Sequence, residues 1–132
     1  MKDWEERIHT MLGDDNERNP ENARRYRIYL KKRLTLPLRV TGIEDFPWEE
    51  PYVIGGWDRE EYEELKKSNP SYTDKFDLLD ILDPERDDLI AVIRRIADGQ
   101  IFRMELSWLR CVDKKIPEYT TLNDYSIWHV NY

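Results

Sequence analysis

The dipeptide Asp98-Gly99, set between two apolar and β-branched runs, constrains this chain more than any other feature. Asp-Gly supplies the positive φ that a tight hairpin turn needs, so Leu89–Ile96 and Gln100–Leu106 read as two antiparallel strands. With Asp98-Gly99 as the two loop residues, Ile96 pairs with Ile101, Ile93 with Met104 and Ala91 with Leu106. Leu89, Ala91, Ile93, Phe102, Met104 and Leu106 then share the inward face.

Other elements assemble around this hairpin. Trp4, Ile8, Met11 and Leu12 have helical spacing over residues 2–12, with Gly13 as the stop. Asn19-Pro20 opens a second helix, Asn19 as N-cap and Pro20 at the first helical position. It buries Ala23, Tyr26, Leu30 and Leu34 and presents Arg24, Arg25, Arg27, Lys31, Lys32 and Arg33 elsewhere. Beyond Leu34 the pattern changes to period two. Strands are expected at Leu36–Thr41, Tyr52–Ile54, Phe76–Leu82, Trp108–Val112 and Ser126–Asn131, the last after a turn at Tyr119–Tyr125. A short helix, Arg59–Lys67, starts from Asp58 with Glu61 in a capping-box pattern and ends before Pro70. The expected fold class is α+β. It is a small antiparallel SH3-like β-barrel with two N-terminal helices and one short helix in the long first loop. One domain, 1–132, would comprise a helical part, 1–34, and a barrel part, 35–132.

The charge sits in one segment. Glu44–Glu64 holds nine acidic residues against Arg59 alone, a balance of −8 where the whole chain carries −7. It also holds Phe46, Trp48, Tyr52, Trp57 and Tyr62, aromatics that a disordered acidic tail lacks. Carboxylates packed together repel unless a cation lies among them, and oxygen donors without neighbouring His or Cys select a hard cation, calcium above all. Gly42, Gly55 and Gly56 leave the backbone free to turn carbonyls inward, while Pro47 and Pro51 stiffen the stretch between. Glu60, Glu61, Glu63 and Glu64 read as the surface of the short helix, with Glu63 spaced to pair with Lys67.

Several classes are excluded or disfavoured. Asp83-x-Glu85-x-Asp87 opens like an EF-hand loop, but the sixth position is Asp88 and the twelfth is Arg94, where Gly and Glu are required. No nucleophile-elbow, phosphate-loop or dinucleotide motif occurs, and His9 and His129 have no ligand partner at metal spacing, so no enzymatic activity is expected. Cys111 lies in an apolar run and reads as a small buried hydrophobe; as the single cysteine it fits a reducing, cytoplasmic location. A pI near 4.9 disfavours nucleic acid. No apolar run approaches the roughly 20 residues of a membrane span.

The run Thr41-Gly42-Ile43-Glu44-Asp45-Phe46-Pro47-Trp48-Glu49-Glu50-x-Tyr52-Val53-Ile54-Gly55 resembles the core motif of the CcbP-like family of small cyanobacterial-type calcium-binding proteins. The likeness continues in Tyr62–Lys67, Pro70–Asp74, the Asp98-Gly99 hairpin and Asp124-Tyr125-Ser126-x-Trp128-x-Val130-Asn131, and leaves out residues 1–20. The resemblance implies a non-EF-hand calcium binder, a buffer or sensor, with Ca2+ as its ligand. By matching motif it nominates Glu44, Asp45, Glu49, Glu50, Asp58 and Asp74 as ligands. The alternative is an SH3-like interaction module whose acidic, aromatic loop grips a basic protein partner.

Overall fold

A computed structural model describes residues 2–132; Met1 of the expected N-terminal part lies outside them. Helix α1, Asp3–Leu12, stops at Gly13, whose φ of 77° suits glycine. Helix α2, Pro20–Arg33, is capped by Asn19, which accepts from the Asn22 backbone N–H at 2.8 Å. Strand β1, Leu38–Gly42, starts after Pro37. The connection to strand β2, Lys75–Glu85, contains a 3-10 turn at Pro47–Glu49 and two short helices, α3 at Glu50–Val53 and α4 at Arg59–Leu65. Strands β3, Asp88–Arg95, β4, Ile101–Glu105, and β5, Leu109–Cys111, precede helix α5, Pro117–Asn131.

The content is α+β, as expected, but the sheet does not close. Its five antiparallel strands run β4-β3-β2-β1-β5, leaving β4 and β5 as edges in place of the expected barrel. The strand assigned to close it, Ser126–Asn131, is instead the second half of α5, and Tyr119–Tyr125 is the first half. Pro117 sits at the first helical position, and Leu122, Tyr125 and Trp128 recur every three residues along one buried face. Their burial overrides the strand propensity of Tyr, Ile, Trp and Val. Tyr52 and Val53 are likewise helical, with Ile54 as the C-cap: Pro47 and Pro51 each pre-set φ for a helical first turn, and no neighbouring strand offers Val53 and Ile54 a ladder.

The Asp98-Gly99 hairpin is present with its register moved by two residues. Ile93 pairs with Phe102 and Ala91 with Met104, so the loop is Ile96–Gly99. Gly99 N–H reaches Arg95 O at 2.8 Å and Arg95 N–H reaches Gln100 O at 2.8 Å, closing a wider turn. A shift of two keeps every side chain on its assigned face, since faces alternate with period two. A second hairpin, β2–β3, turns on Arg86-Asp87 with Arg86 at φ 59° and carries a bulge near Leu79. Helix α2 clasps that bulge: Arg27 donates to Ile81 O at 2.7 Å and Lys31 meets Asp80 at 2.8 Å. Part of the basic face of α2 is therefore spent on internal contacts.

The helices and the inward sheet face bury one core of Ile8, Leu12, Tyr26, Leu30, Val40, Phe76, Leu78, Ile81, Leu89, Ile93 and Trp128, among others. Tyr26 lies edge-on to Tyr125 at 5.0 Å and tilted against Trp128 at 5.3 Å. Arg7 joins α1 to α5 through a two-bond fork to Asp124, at 2.6 and 2.9 Å. On the opposite face Asp77 lies between Arg39 and Arg94 from the flanking strands. Trp128 and Val130 would share a face in a strand but lie on different sides of a helix. Trp128→Ala should therefore cost about 3–5 kcal/mol in urea unfolding, and Val130→Ala, at an exposed position, within about 0.5 kcal/mol of zero.

Candidate functional site

The segment from Ile43 to Asp74 holds ten acidic residues against three basic ones, a balance equal to the net −7 of the whole chain, and is pinned at both ends by buried ions. Glu49 is fully buried. Its Oε1 accepts from the Tyr62 hydroxyl at 2.8 Å and the Ser71 hydroxyl at 2.6 Å. Its Oε2 accepts from the backbone N–H of Phe46 at 3.1 Å and of Tyr72 at 3.0 Å. Four donors satisfy a carboxylate that would otherwise cost several kcal/mol to desolvate. Trp48 packs against Tyr62 and donates from Nε1 to Pro70 O at 2.7 Å, closing the same loop onto itself.

The second ion is Arg95, buried in β3 at 4% exposure. Its guanidinium bonds both oxygens of Asp98, at 3.1 and 2.8 Å, and Asp74 Oδ2 at 3.0 Å. It also reaches the carbonyls of Lys66, Asn69 and Lys67 at 2.8–3.0 Å. A cation surrounded by six oxygens is thus supplied by the chain itself. Asp98 is held well below the usual carboxylate range, first by Arg95 and then by the Gln100 backbone N–H. Gly42 completes the clamp. Its N–H bonds Tyr72 O at 3.1 Å, and a Cβ there would lie 2.6–2.7 Å from the Tyr72 Cβ and Cα.

These contacts sort the nominated ligands. Glu49 has its oxygens filled by protein donors, Asp74 is paired with Arg95 and accepts from Ser71 N–H, and Asp58 caps α4 through the N–H groups of Glu60 and Glu61. Glu44, Asp45 and Glu50 have no side-chain or backbone donor among the described residues. These three line one cleft of about 520 Å³, with Trp108, Asn123, Ser126 and His129 on its other side. That far side is fixed by buried Asp88, which accepts from the Tyr125 hydroxyl at 2.6 Å and the Ser107 hydroxyl at 2.5 Å, while His129 lies 3.2 Å from Asp87. Phe46 stacks on Trp108 at 5.8 Å across the floor. No three carboxylate, imidazole or thiol side chains among the described residues come together closely enough to share one ion. The segment therefore presents loose oxygen donors along a cleft rather than a closed cage.

Sequence patterning missed Arg95, Ser71 and Tyr62. Only Arg95 left a signal: it continues the inward series Leu89, Ala91, Ile93 by the same step of two, and a base at the next inward place is what could have flagged it. Comparison with known proteins finds no family profile and no curated protein that matches the chain. A solved structure described as "Calcium binding protein in the calcium-binding form" shares the fold, with a TM-score of 0.59 and 18% identity over 96% of this chain and 89% of that one.

Two outcomes follow from the buried pair. Glu49→Gln turns an amide NH2 towards donors and should destabilise by about 1–3 kcal/mol in denaturant titration, with Trp48 emission shifting in step. Burial first, then the bond to Glu49, pushes the Tyr62 phenol up to about 12. The raised folded value means that this stability is complete below the unfolded pKa near 10 and is lost as pH rises from there towards 12. Tyr62→Phe should be the less stable protein at pH 7 yet lose less stability than the parent over that alkaline window, read by urea midpoints at successive pH values.

Proposed function

We propose that this protein is a non-EF-hand calcium binder of CcbP-like type, acting as a cytosolic buffer or sensor and not as an enzyme. The carrying observation is the trio Glu44, Asp45 and Glu50, carboxylates without protein partners lining one cleft. Calcium takes about 6–8 oxygens in irregular geometry, and these carboxylates with the amide oxygen of Asn123 are of the right chemistry for it, the ion drawing together donors that the metal-free segment holds apart. The solved calcium-binding protein that shares this fold supports the same reading. Glu49, Asp58 and Asp74 act in this reading as supports that keep the segment in place. The ion supplies charge neutralisation and cross-linking of the segment, nothing more.

Calorimetric titration of chelator-treated protein should show calcium binding and weaker magnesium binding, because magnesium demands near-octahedral geometry and dehydrates reluctantly. Calcium should raise stability by about 2.7 kcal/mol at a hundredfold excess over Kd. Asp45→Asn, which removes a charge without shortening the side chain, should weaken calcium binding and leave metal-free stability unchanged or slightly higher. Trp108, on the wall facing the carboxylates, should sensitise bound terbium, and Trp108→Phe should remove most of that signal. Equal heats for both ions, or calcium affinity indifferent to Asp45→Asn, would sink the assignment.

A further inference from the structure

A second cleft, of about 480 Å³, lies between α3 and α4 and is walled by Tyr52, Trp57, Tyr62 and Tyr72. Tyr52 and Tyr62 stack nearly parallel at 5.3 Å. Trp57 stands edge-on to Tyr52 at 6.2 Å and 80°, so the indole and phenol planes form a corner. Trp57 is 62% exposed, and Val53 and Ile54 beside it are exposed too. The indole is nonetheless held in place. Trp57 N–H bonds Pro51 O at 3.3 Å, and a Cβ on Gly55 would lie 3.3 Å from the Trp57 ring. An exposed but seated indole among tyrosines is the composition of a binding hot spot.

The polar groups of this cleft are mostly donors. Trp48 and Trp128 give their indole N–H to Pro70 O and Asn16 O, at 2.7 and 2.8 Å. The Trp57 indole N–H, the Tyr72 hydroxyl and the Arg59 guanidinium line the cleft and bond no protein group among the described residues. The lining holds two cations, Arg59 and Lys66, against one carboxylate, Glu63; Glu60 and Glu61 lie outside it. Lys66 Nζ takes Glu63 Oε1 at 3.2 Å and lies 4.5 Å over the Tyr62 ring centroid. One cation, Arg59, is left without a counter-ion, together with an excess of N–H and O–H donors. The matching occupant brings apolar rings, acceptors without donors, and one carboxylate. Proline supplies the first two: its ring packs on aromatic side chains, and its backbone has a carbonyl but no N–H. The seven prolines of this chain all stand singly, so a second copy carries no such segment.

We propose that this cleft docks an extended, proline-rich segment of a partner protein. Its pyrrolidine rings lie in the corner between Trp57 and Tyr52, its carbonyls accept from the Trp57 and Tyr72 donors, and a flanking carboxylate faces Arg59. The cleft shares no lining residue with that of Glu44, Asp45 and Glu50, so it stands or falls independently of calcium.

Fluorescence anisotropy tests it with a labelled peptide of Pro-x-x-Pro repeats carrying one flanking Asp, at about 0.15 M salt, where exposed charges act over roughly 8 Å. A second peptide has Ala in place of every Pro, and a third has Lys in place of Asp. The first should bind. The alanine peptide should bind at least about 10-fold more weakly, a difference of about 1.4 kcal/mol, and the Lys-flanked peptide about 3-fold more weakly. Trp57→Ala, at a position exposed enough to leave the urea midpoint unchanged, should lose about 10-fold in affinity. Trp57→Phe, which keeps a ring and loses the N–H, should fall between the two. Arg59→Gln should abolish the preference for the Asp flank and keep the preference for Pro over Ala. Absent binding of the first peptide, equal binding by the alanine peptide, no preference for the acidic flank, or indifference to Trp57→Ala would each overturn the proposal. So would self-association without peptide that Trp57→Ala abolishes, since a second copy would then be the occupant.

Discussion

A guanidinium buried in a β-strand is the constraint on which the rest of this structure depends. Removing a charge from water costs several kcal/mol even after relaxation, and the cost is met only when the ion's hydrogen-bonding capacity is filled. Arg95 fills it with two carboxylates and three backbone carbonyls drawn from three places: the β3–β4 turn, the end of α4 and the approach to β2. None of those places could move without stranding the ion or its oxygens. The surface pairs Lys66–Glu63 and Lys67–Glu64 have no such leverage, because exposed pairs are worth about 1 kcal/mol or less.

Glu49 performs the opposite task with the opposite sign. It gathers donors from the start of the acidic segment, from α4 and from the turn before β2. The two ions do not pair with each other; each is satisfied by its own shell. The long connection is thereby anchored at Phe46–Glu49 and again at Tyr62–Asp74. The intervening stretch around Gly55, Gly56 and Trp57 is held by fewer contacts. Its exposed side chains are the ones left for encounters outside the molecule.

What sequence made legible follows from which forces act locally. Caps, proline positions and Asp-Gly turns act within a few residues, so α1, α2, α4 and the main hairpin could be placed from spacing, the hairpin with its faces right and its register off by two. The identity of α5 depends on Leu122, Tyr125 and Trp128 finding Tyr26 and its neighbours about a hundred residues earlier in the chain, a gain no local pattern announces. The mistaken closing strand then produced the mistaken barrel, because a sheet without a last strand has nothing to close with. The acidic segment was conspicuous by charge. Charge alone does not say which carboxylates are already engaged, since three of the four donors that engage Glu49 lie 13 to 23 residues further along the chain.

Sorting the acids by their partners changes what the −8 balance means. Glu49 is consumed by buried donors, Asp58 by a helix cap, and Glu63 and Glu64 by neighbouring lysines. Within the segment the unengaged charge is confined to two groups, Glu44, Asp45 and Glu50 on one cleft and Glu60 and Glu61 on the first turn of α4. Separation by α3 keeps the two groups from adding their repulsion at a single point, and it gives each a different neighbour. The first faces amide and hydroxyl oxygens, where a small hard cation finds the rest of its shell. The second sits on the first turn of α4, where the unpaired N–H groups of the helix start favour negative charge. One acidic run in the sequence thus folds into two surfaces of different chemistry, and it is the aromatic residues between the carboxylates that divide them.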